Sequence, residues 1–243
     1  MFKMKLKASI YRIIVSFFLI ITILLPLYLL WYPYPLNLSL NINKLIFIIL
    51  SVNFFISLIF TYLFYNPNRK DNKINMIIVS VIQVLAFFVG FYFFTMIRPA
   101  WLVQHQEKIY IVQPSSVIYP ENLNIIEKLI RESWSGPVLR TVKFSKILSE
   151  QQIQLVQSTS GEGIEYQPLN YKKFDNRFAL EYAKPVPLLH KFNTSKELND
   201  ILKDVSSKNY MWLPLRSTVN GNDMVVLINN KGELIKIVAL KPW

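Results

Sequence analysis

The first 97 residues contain three long runs of apolar residues that carry no charge. They are IIVSFFLIITILLPLYLLW at 13–31, LIFIILSVNFFISLIFTYLFY at 45–65 and MIIVSVIQVLAFFVGFYFFTMI at 76–97. A helix of about 20 apolar residues crosses the roughly 30 Å hydrocarbon core of a bilayer, and each run has that length. The pattern therefore predicts a membrane domain of three transmembrane α-helices in residues 1–97.

A cleavable signal peptide is the alternative interpretation of the first run, because the basic start MFKMKLK fits one. The run is long for a signal peptide, and the segment WYPYPLNLS after it offers no small-residue cleavage site. We therefore expect an uncleaved anchor.

The pattern changes at Arg98, after which charges and turn residues occur every few positions. Residues 98–243 predict two short strands in AWLVQHQEKIYIVQ, a helix that stops before a Gly-Pro pair, a strand in VLRTVKF and a helix in SKILSEQQIQLVQ. Thr194 and Glu197 have the spacing of a capping box that begins a further helix. The segment from Gly161 to Lys191 is irregular.

The C-terminal end predicts a three-stranded antiparallel β-meander, with strands in YMWLPLRSTV, DMVVLINN and ELIKIVAL. Asn220-Gly221 between the first two strands is a strong signal for a two-residue type I′ hairpin turn. Strands and helices of this length indicate a small α+β domain in residues 98–243.

The charges of the short loops predict the orientation of the spans, because loops rich in Lys and Arg stay in the cytoplasm. Four basic residues precede the first run, and the loop at 66–75 has three basic residues and one acidic residue. The loop at 32–43 has no charge. We therefore expect a cytoplasmic N-terminus and a C-terminal domain on the side of the membrane away from the cytoplasm.

The formal net charge of +12 raises nucleic-acid binding as an alternative. More than half of this excess, a net charge of +7, falls in residues 1–97, where it flanks the apolar runs and orients them. We therefore expect no nucleic-acid partner. The chain contains no cysteine, which excludes disulfides, thiolate metal sites and cysteine nucleophiles.

Motifs of catalysis and of metal binding are not found in the sequence. His105 and His190 are its two histidines, and they lack the spacing of metal ligands. Glu162 and Glu165 form an acidic pair in a loop, where solvated surface side chains are the expectation. We predict that the protein is not an enzyme, with no catalytic residue, metal or cofactor.

Polar residues recur inside two of the apolar runs. Asn53, Ser57 and Thr61 follow one another every four residues, so they form one stripe of the second helix. Gln83 and Gly90, with Ser80, fall on roughly one side of the third. Unpaired amides are costly in lipid, so both stripes should face protein. They either hold the three helices together or receive a transmembrane helix of another protein.

Four segments, in order and with similar spacing, carry a resemblance to a known family. They are WYPYPL after the first span, VNFFISLIFTYLFYNPNRK, IQVLAFFVGFYFFTMIRPAWLV, and an ending YMWLPLRS…VVLINNKGELIKIVALKPW. Together they resemble the TfpX/TfpZ family of type IV pilin accessory proteins, which are small bacterial inner-membrane proteins. The resemblance extends from near residue 10 to Trp243, and it implies a location in the bacterial inner membrane with residues 98–243 in the periplasm. Asn53 stands where the family has an aspartate, and Ser57-Leu58 where it has Gly-Pro.

The resemblance implies a chaperone-like role in which the chain binds a type IV pilin, and possible partners are the pilin, inner-membrane lipid and the pilus assembly machinery. The aspartate-to-asparagine difference puts in doubt any mechanism that needs a charge at position 53. The candidates for pilin binding or helix packing are Asn53, Ser57, Thr61, Gln83, Gly90, Arg98, Pro99 and Trp101. A membrane-anchored sensor or assembly scaffold with a periplasmic binding domain is the alternative function.

Overall fold

The chain forms two compact units in a computed structural model that describes residues 2–40, 42–118, 123–159, 163–203, 210–217 and 221–243. The first unit comprises Met1–Leu30 and Ile42–Ile97, and the second comprises Trp31–Asn41 and Arg98–Trp243. The second unit therefore contains a short segment from between the first two apolar runs, in addition to the expected residues 98–243.

Helices α1 (Phe2–Trp31), α3 (Ile42–Phe64) and α4 (Asn72–Met96) build the first unit, and the short helix α2 (Leu36–Ser39) lies in the second. In the described part of the chain, these three long helices are long and apolar enough to cross a membrane. The prediction of three apolar helices is thus confirmed. Large apolar side chains such as Phe18, Phe47 and Ile77 are mostly exposed on them, as hydrocarbon-facing side chains are.

Helix α3 contains a π-helical turn at Ile56–Phe60, which the sequence analysis does not predict. Such a turn inserts an extra residue into the helix and is frequently found at functional sites. Ser57 of the polar stripe lies within this turn and is fully buried.

The second unit combines helices and strands around one mixed sheet. Its strands are β1 (Trp101–His105), β2 (Lys108–Val112), β3 (Val138–Val142), β4 (Lys172–Lys173), β5 (Lys184–Pro185), β6 (Met211–Arg216), β7 (Met224–Ile228) and β8 (Leu234–Val238). Its longer helices are α5 (Leu123–Glu132), α6 (Leu148–Thr159), α7 (Asn176–Tyr182) and α8 (Ser195–Leu202). The predicted capping box is present, because Thr194 Oγ1 accepts from the Glu197 N–H and the Glu197 carboxylate accepts from the Thr194 N–H.

The strand order is β4-β3-β1-β2-β6-β7-β8, and β5 pairs with β6. The predicted β1–β2 hairpin and the β6–β7–β8 meander are antiparallel, so both predictions are confirmed. Two pairs, β1–β3 and β2–β6, are parallel, and the second of these joins the meander to the rest of the sheet. The sheet is therefore mixed rather than only antiparallel.

The turn predicted at Asn220-Gly221 is wrong in its length. Strands β6 and β7 pair from Leu215 opposite Met224, so the connection spans residues 217–223 and is not a two-residue turn. Asn220 lies outside the described residues. Gly221 allows a close approach of the Ser39 backbone, because a Cβ at this position would collide with the Ser39 backbone oxygen.

Segment 31–41 is held in the second unit by hydrogen bonds to this connection. The Ser39 backbone oxygen accepts from Ser217 Oγ at 2.9 Å and from the Asn222 N–H at 3.2 Å. Ser39 Oγ donates to the Asn222 backbone oxygen at 2.9 Å. These bonds bring residues from the two ends of the sequence into one loop cluster.

Two apolar clusters form the core of the second unit. One lies at β1, β2 and β3 and includes Trp101, Val103 and Val142, all fully buried. The other lies at the meander and includes Trp212 and Leu227. Every residue of β7 is buried, as expected for a strand with neighbours on both sides.

Candidate functional site

The polar residues that the sequence places at bilayer depth lie inside the first unit. Asn53, Ser57 and Thr61 are at most 2% exposed, and Gln83 is 8% exposed. Gln83 Nε2 donates to Ser57 Oγ at 2.7 Å and to Ser16 Oγ. One amide therefore joins α1, α3 and α4 through two serine hydroxyls.

Arg12 of α1 extends this polar network. Its Nε donates to Gln83 Oε1 at 3.1 Å, and its Nη2 donates to Ser80 Oγ at 2.6 Å. Its Nη1 lies 3.4 Å from the Met76 backbone oxygen. All three partners belong to α4, so Arg12 attaches α1 to α4.

The sequence analysis counts Arg12 among the basic residues before the first span and misses this role. Helix α1 begins at Phe2, so Arg12 lies ten residues inside it. A signal for the network does exist in the sequence, because Ser9, Arg12 and Ser16 have the spacing of one helical face. Ser9 Oγ donates to the Leu58 backbone oxygen in the π-helical turn at 3.5 Å.

Gly90 is the site of close packing between α3 and α4. A Cβ at Gly90 would lie 2.8 Å from Ile49 Cγ1, which is closer than real side chains approach. A small residue at such a contact lets two membrane helices come together. Gly90, a candidate for helix packing or pilin binding, thus lies at a close contact between α3 and α4.

A groove of about 980 Å³ lies along one face of α1. The α1 residues that line it follow at helical spacing from Met4 to Ile23, and Arg12 lies among them. The opposite wall carries polar and apolar side chains of α3 and α4. These are Asn53, Thr61, Tyr65, Met76, Ser80, Gln83, Val84, Phe87 and Phe88.

Two buried oxygen atoms of residues that line the groove have no hydrogen-bond partner among the described residues. Asn53 Nδ2 donates to the Ile49 backbone oxygen of its own helix at 2.9 Å, but Asn53 Oδ1 accepts nothing. Thr61 Oγ1 is likewise unpartnered. Buried polar atoms are nearly always hydrogen-bonded, so the groove keeps unused hydrogen-bonding capacity.

Arg98, Pro99 and Trp101 lie in a different place, in the interior of the second unit. Arg98 is 1% exposed, and its Nη2 donates to Ser133 Oγ at 2.8 Å. Its guanidinium carbon lies 5.2 Å from the ring centre of Trp31 and 4.9 Å from that of Trp134. Pro99 and Trp101 are also buried. The structure thus separates these three candidates from the groove residues.

A pairing of His105 with Glu165 is also missed by the sequence analysis. His105 Nδ1 lies 3.4 Å from Glu165 Oε2, and the ring meets Phe144 edge-on. Glu165 is 9% exposed, so its expected place on the solvated surface is wrong. Its predicted partner Glu162 lies outside the described residues.

Burial is the main cause that raises the pKa of nearby Tyr110 to about 12, and the Glu165 charge adds to it. The part of the chain that the structure describes contains no group of three or more Asp, Glu or His side chains placed to hold a metal ion. His105 and Glu165 form a largely buried pair within the second unit.

Comparison with known proteins yields no matching family model and no matching solved structure. The chain is similar to two proteins of Dichelobacter nodosus. A fimbrial assembly protein of serogroup I is 23% identical over 210 residues, which cover 82% of this chain and 81% of the relative. A fimbrial assembly protein of serogroup E1 is 22% identical over 233 residues, covering 92% and 91%. The chain is therefore similar, across both of its units, to proteins named for fimbrial assembly.

Proposed function

We propose that the chain is a non-enzymatic accessory protein of type IV pilus assembly that binds a pilin. The observation that carries this proposal is the similarity to fimbrial assembly proteins along four-fifths or more of the chain. The resemblance of four segments to the TfpX/TfpZ family supports the narrower role of a chaperone-like pilin partner. Both point to the stage at which pilin is held or delivered for assembly.

The groove of the first unit supports a specific mode of binding. A pilin before assembly consists of an apolar N-terminal helix in the membrane and a globular head outside it. The groove-lining face of α1 from Met4 to Ile23 is about 28 Å long at 1.5 Å per residue, which is close to the thickness of the hydrocarbon core. Val15, Leu19 and Ile23 on this face are exposed, so an apolar helix can cover them.

We place the three long helices in the bacterial inner membrane, with the second unit in the periplasm. This arrangement rests on the loop charges and on the length and apolar character of α1, α3 and α4. A pilin would then meet both units, its helix at the groove and its head at the periplasmic unit. The proposed function needs no chemistry beyond binding.

The experiment is co-purification of the pilin of the same organism with the full-length chain in mild detergent. Leu19→Trp places a bulky ring in the groove, whereas Leu25→Trp places the same ring on an exposed face of α1 outside it. Overfilling a packed contact typically costs about 1–3 kcal/mol. We therefore expect Leu19→Trp to lower pilin recovery about fivefold or more and Leu25→Trp to leave it near the unmodified level.

The level and membrane insertion of each variant are measured in the same preparations. Failure of the unmodified chain to retain pilin at all contradicts the proposed function. Retention of pilin by Leu19→Trp as well as by Leu25→Trp contradicts the groove as the binding site and transfers it to the second unit.

A further inference from the structure

Arg12 places a positive charge on the wall of the groove. It is half-buried, and its hydrogen bond to Ser80 engages one N–H of Nη2. A guanidinium has five N–H donors and no acceptor. The second N–H of Nη2 has no partner among the described residues, so Arg12 can bind a further acceptor.

The partners that Arg12 has are all neutral. They are the Gln83 amide oxygen, the Ser80 hydroxyl, and the backbone oxygen and thioether sulfur of Met76. No ion pair with Arg12 occurs in the described ranges. Ionisable side chains inside membranes pair with one another or with backbone carbonyls, and they mark functional sites.

The chain itself offers little to neutralise this charge. Residues 1–97 contain eight basic residues, and Asp71 is their one acidic residue. Asp71 precedes α4, and the three long helices contain neither Asp nor Glu. The long helices of a second copy would therefore bring no carboxylate into the groove, so pairing of these helices with one another leaves the charge of Arg12 unmatched.

We propose that the groove binds a partner transmembrane helix that carries a carboxylate, and that Arg12 pairs with this carboxylate. This rests on the proposed function and adds the chemical feature that selects the bound helix. Charge-assisted hydrogen bonds from arginine to carboxylate are short, directional and about twice as strong as neutral ones. Desolvation in a bilayer would make the pairing selective, because a helix without the carboxylate leaves Arg12 unpaired.

The depth of the carboxylate follows from helix geometry. Arg12 lies ten residues from Phe2 and 19 residues from Trp31, which is about 15 Å from one end of α1 and 28 Å from the other. The acidic residue of the partner should therefore lie in the part of its apolar segment that is level with the first half of α1, and not at the opposite membrane surface.

The test uses synthetic Leu/Ala transmembrane helices of about 22 residues with one Glu near either end or at the centre, each with a twin carrying Gln. Binding to the purified full-length chain is measured by energy transfer at pH 8 in phosphatidylcholine nanodiscs. We expect the Glu helix level with Arg12 to bind about tenfold or more tighter than its Gln twin. Arg12→Gln should reduce this preference to about twofold or less, and Arg12→Lys should retain most of it. Arg69→Gln, which removes a loop charge outside the groove, is the control.

Equal binding of the Glu and Gln helices to the unmodified chain overturns the proposal, as does a Glu preference that survives in Arg12→Gln. If Arg12→Gln does not insert into nanodiscs, the proposal is still tested by comparing the Glu and Gln helices on the unmodified chain and on Arg12→Lys. The chain is also tested for binding of phosphatidylglycerol, an anionic lipid, in mixed nanodiscs. If it binds this lipid through Arg12 and does not distinguish the Glu helix from the Gln helix, the groove is a lipid site and the proposal is overturned.

Failure of this inference is separable from failure of the proposed function. Pilin that is lost with Leu19→Trp but fully retained with Arg12→Gln supports pilin binding in the groove and overturns the carboxylate pairing.

Discussion

Arg98 shows how a residue that looks like part of a functional motif can serve the stability of a domain. Its guanidinium carbon lies 5.2 Å from the ring centre of Trp31 and 4.9 Å from that of Trp134, and Trp31 Nε1 donates to the Trp134 backbone oxygen at 2.8 Å. Arginine stacks on indole through a planar delocalised charge, which a lysine ammonium lacks. The three side chains connect segment 31–41 to the rest of the second unit.

Arg98→Lys should destabilise the second unit. Lysine keeps the charge but loses the stacking and the fixed bond to Ser133, and desolvated cation–π contacts are worth up to about 2 kcal/mol. We expect a loss of about 1–3 kcal/mol in the free energy of unfolding, measured by denaturant unfolding of the full-length protein in detergent with tryptophan fluorescence. Arg177→Lys at an exposed position should change it by less than about 0.5 kcal/mol. Equal effects of the two substitutions would show that the stacking contributes nothing.

The difference between Arg12 and Asn53 shows what can be predicted for single residues. Asn53 is recognisable because it is an amide inside an apolar run, where any polar group needs protein around it. Arg12 lies at the start of such a run, where a basic residue normally serves orientation. Its hydrogen bonds to α4 depend on how the helices pack, and the sequence of α1 alone does not contain that information.

Between Ile49 and Thr61, helix α3 has a close contact with α4, a π-helical turn, and two side-chain oxygens without a hydrogen-bond partner among the described residues. Gly90 of α4 allows the close contact with Ile49, and Ser57 in the turn accepts from Gln83. The close contact at Ile49 and the groove residues Asn53 and Thr61 therefore lie on one stripe of α3, since they recur every four residues.

Gly90→Ala should loosen the α3–α4 contact, because its Cβ would lie 2.8 Å from Ile49 Cγ1. Overpacking of this kind costs about 1–3 kcal/mol, so we expect a lower thermal midpoint of the bundle in detergent. Ile49→Ala removes the atoms that clash but also loses buried apolar contacts, so it should cost less stability in the Gly90→Ala chain than in the unmodified chain. If it costs the same in both chains, the two residues are not in contact.

At the scale of elements, local patterns predict the three apolar helices, the β1–β2 hairpin and the meander, since length, alternation and capping act within short segments. The parallel pairs β1–β3 and β2–β6 are not predicted, because non-local pairing depends on which surfaces meet and not on any one strand. The connection at 217–223 is also longer than the two-residue turn that Asn-Gly predicts, and non-local contacts are again the reason. Its described residues Ser217 and Asn222 are hydrogen-bonded to distant Ser39.

The whole molecule carries its basic loops in an asymmetric pattern, from which its orientation in a membrane can be tested. A reporter that is active in the periplasm should be active when fused after Trp243 and inactive when inserted at 66–75, because Lys- and Arg-rich loops stay inside. A reporter that is active in the cytoplasm should give the opposite pattern. Activity of the periplasmic reporter at 66–75 together with inactivity after Trp243 would reverse the orientation, and the second unit could then not meet the head of an exported pilin.

The hydrogen bonds of Ser39 to Ser217 and Asn222 have a consequence for the time course of biosynthesis. Their sequence separation is 178 residues or more. At about 5–20 residues per second, the ribosome makes the partner of Ser39 roughly 10–35 s after Ser39 itself. Segment 31–41 is therefore synthesised well before the loop that binds it. Nonsense or frameshift mutations that remove Ser217 and Asn222 should thus expose segment 31–41, far upstream of the mutated codon, to proteases and chaperones.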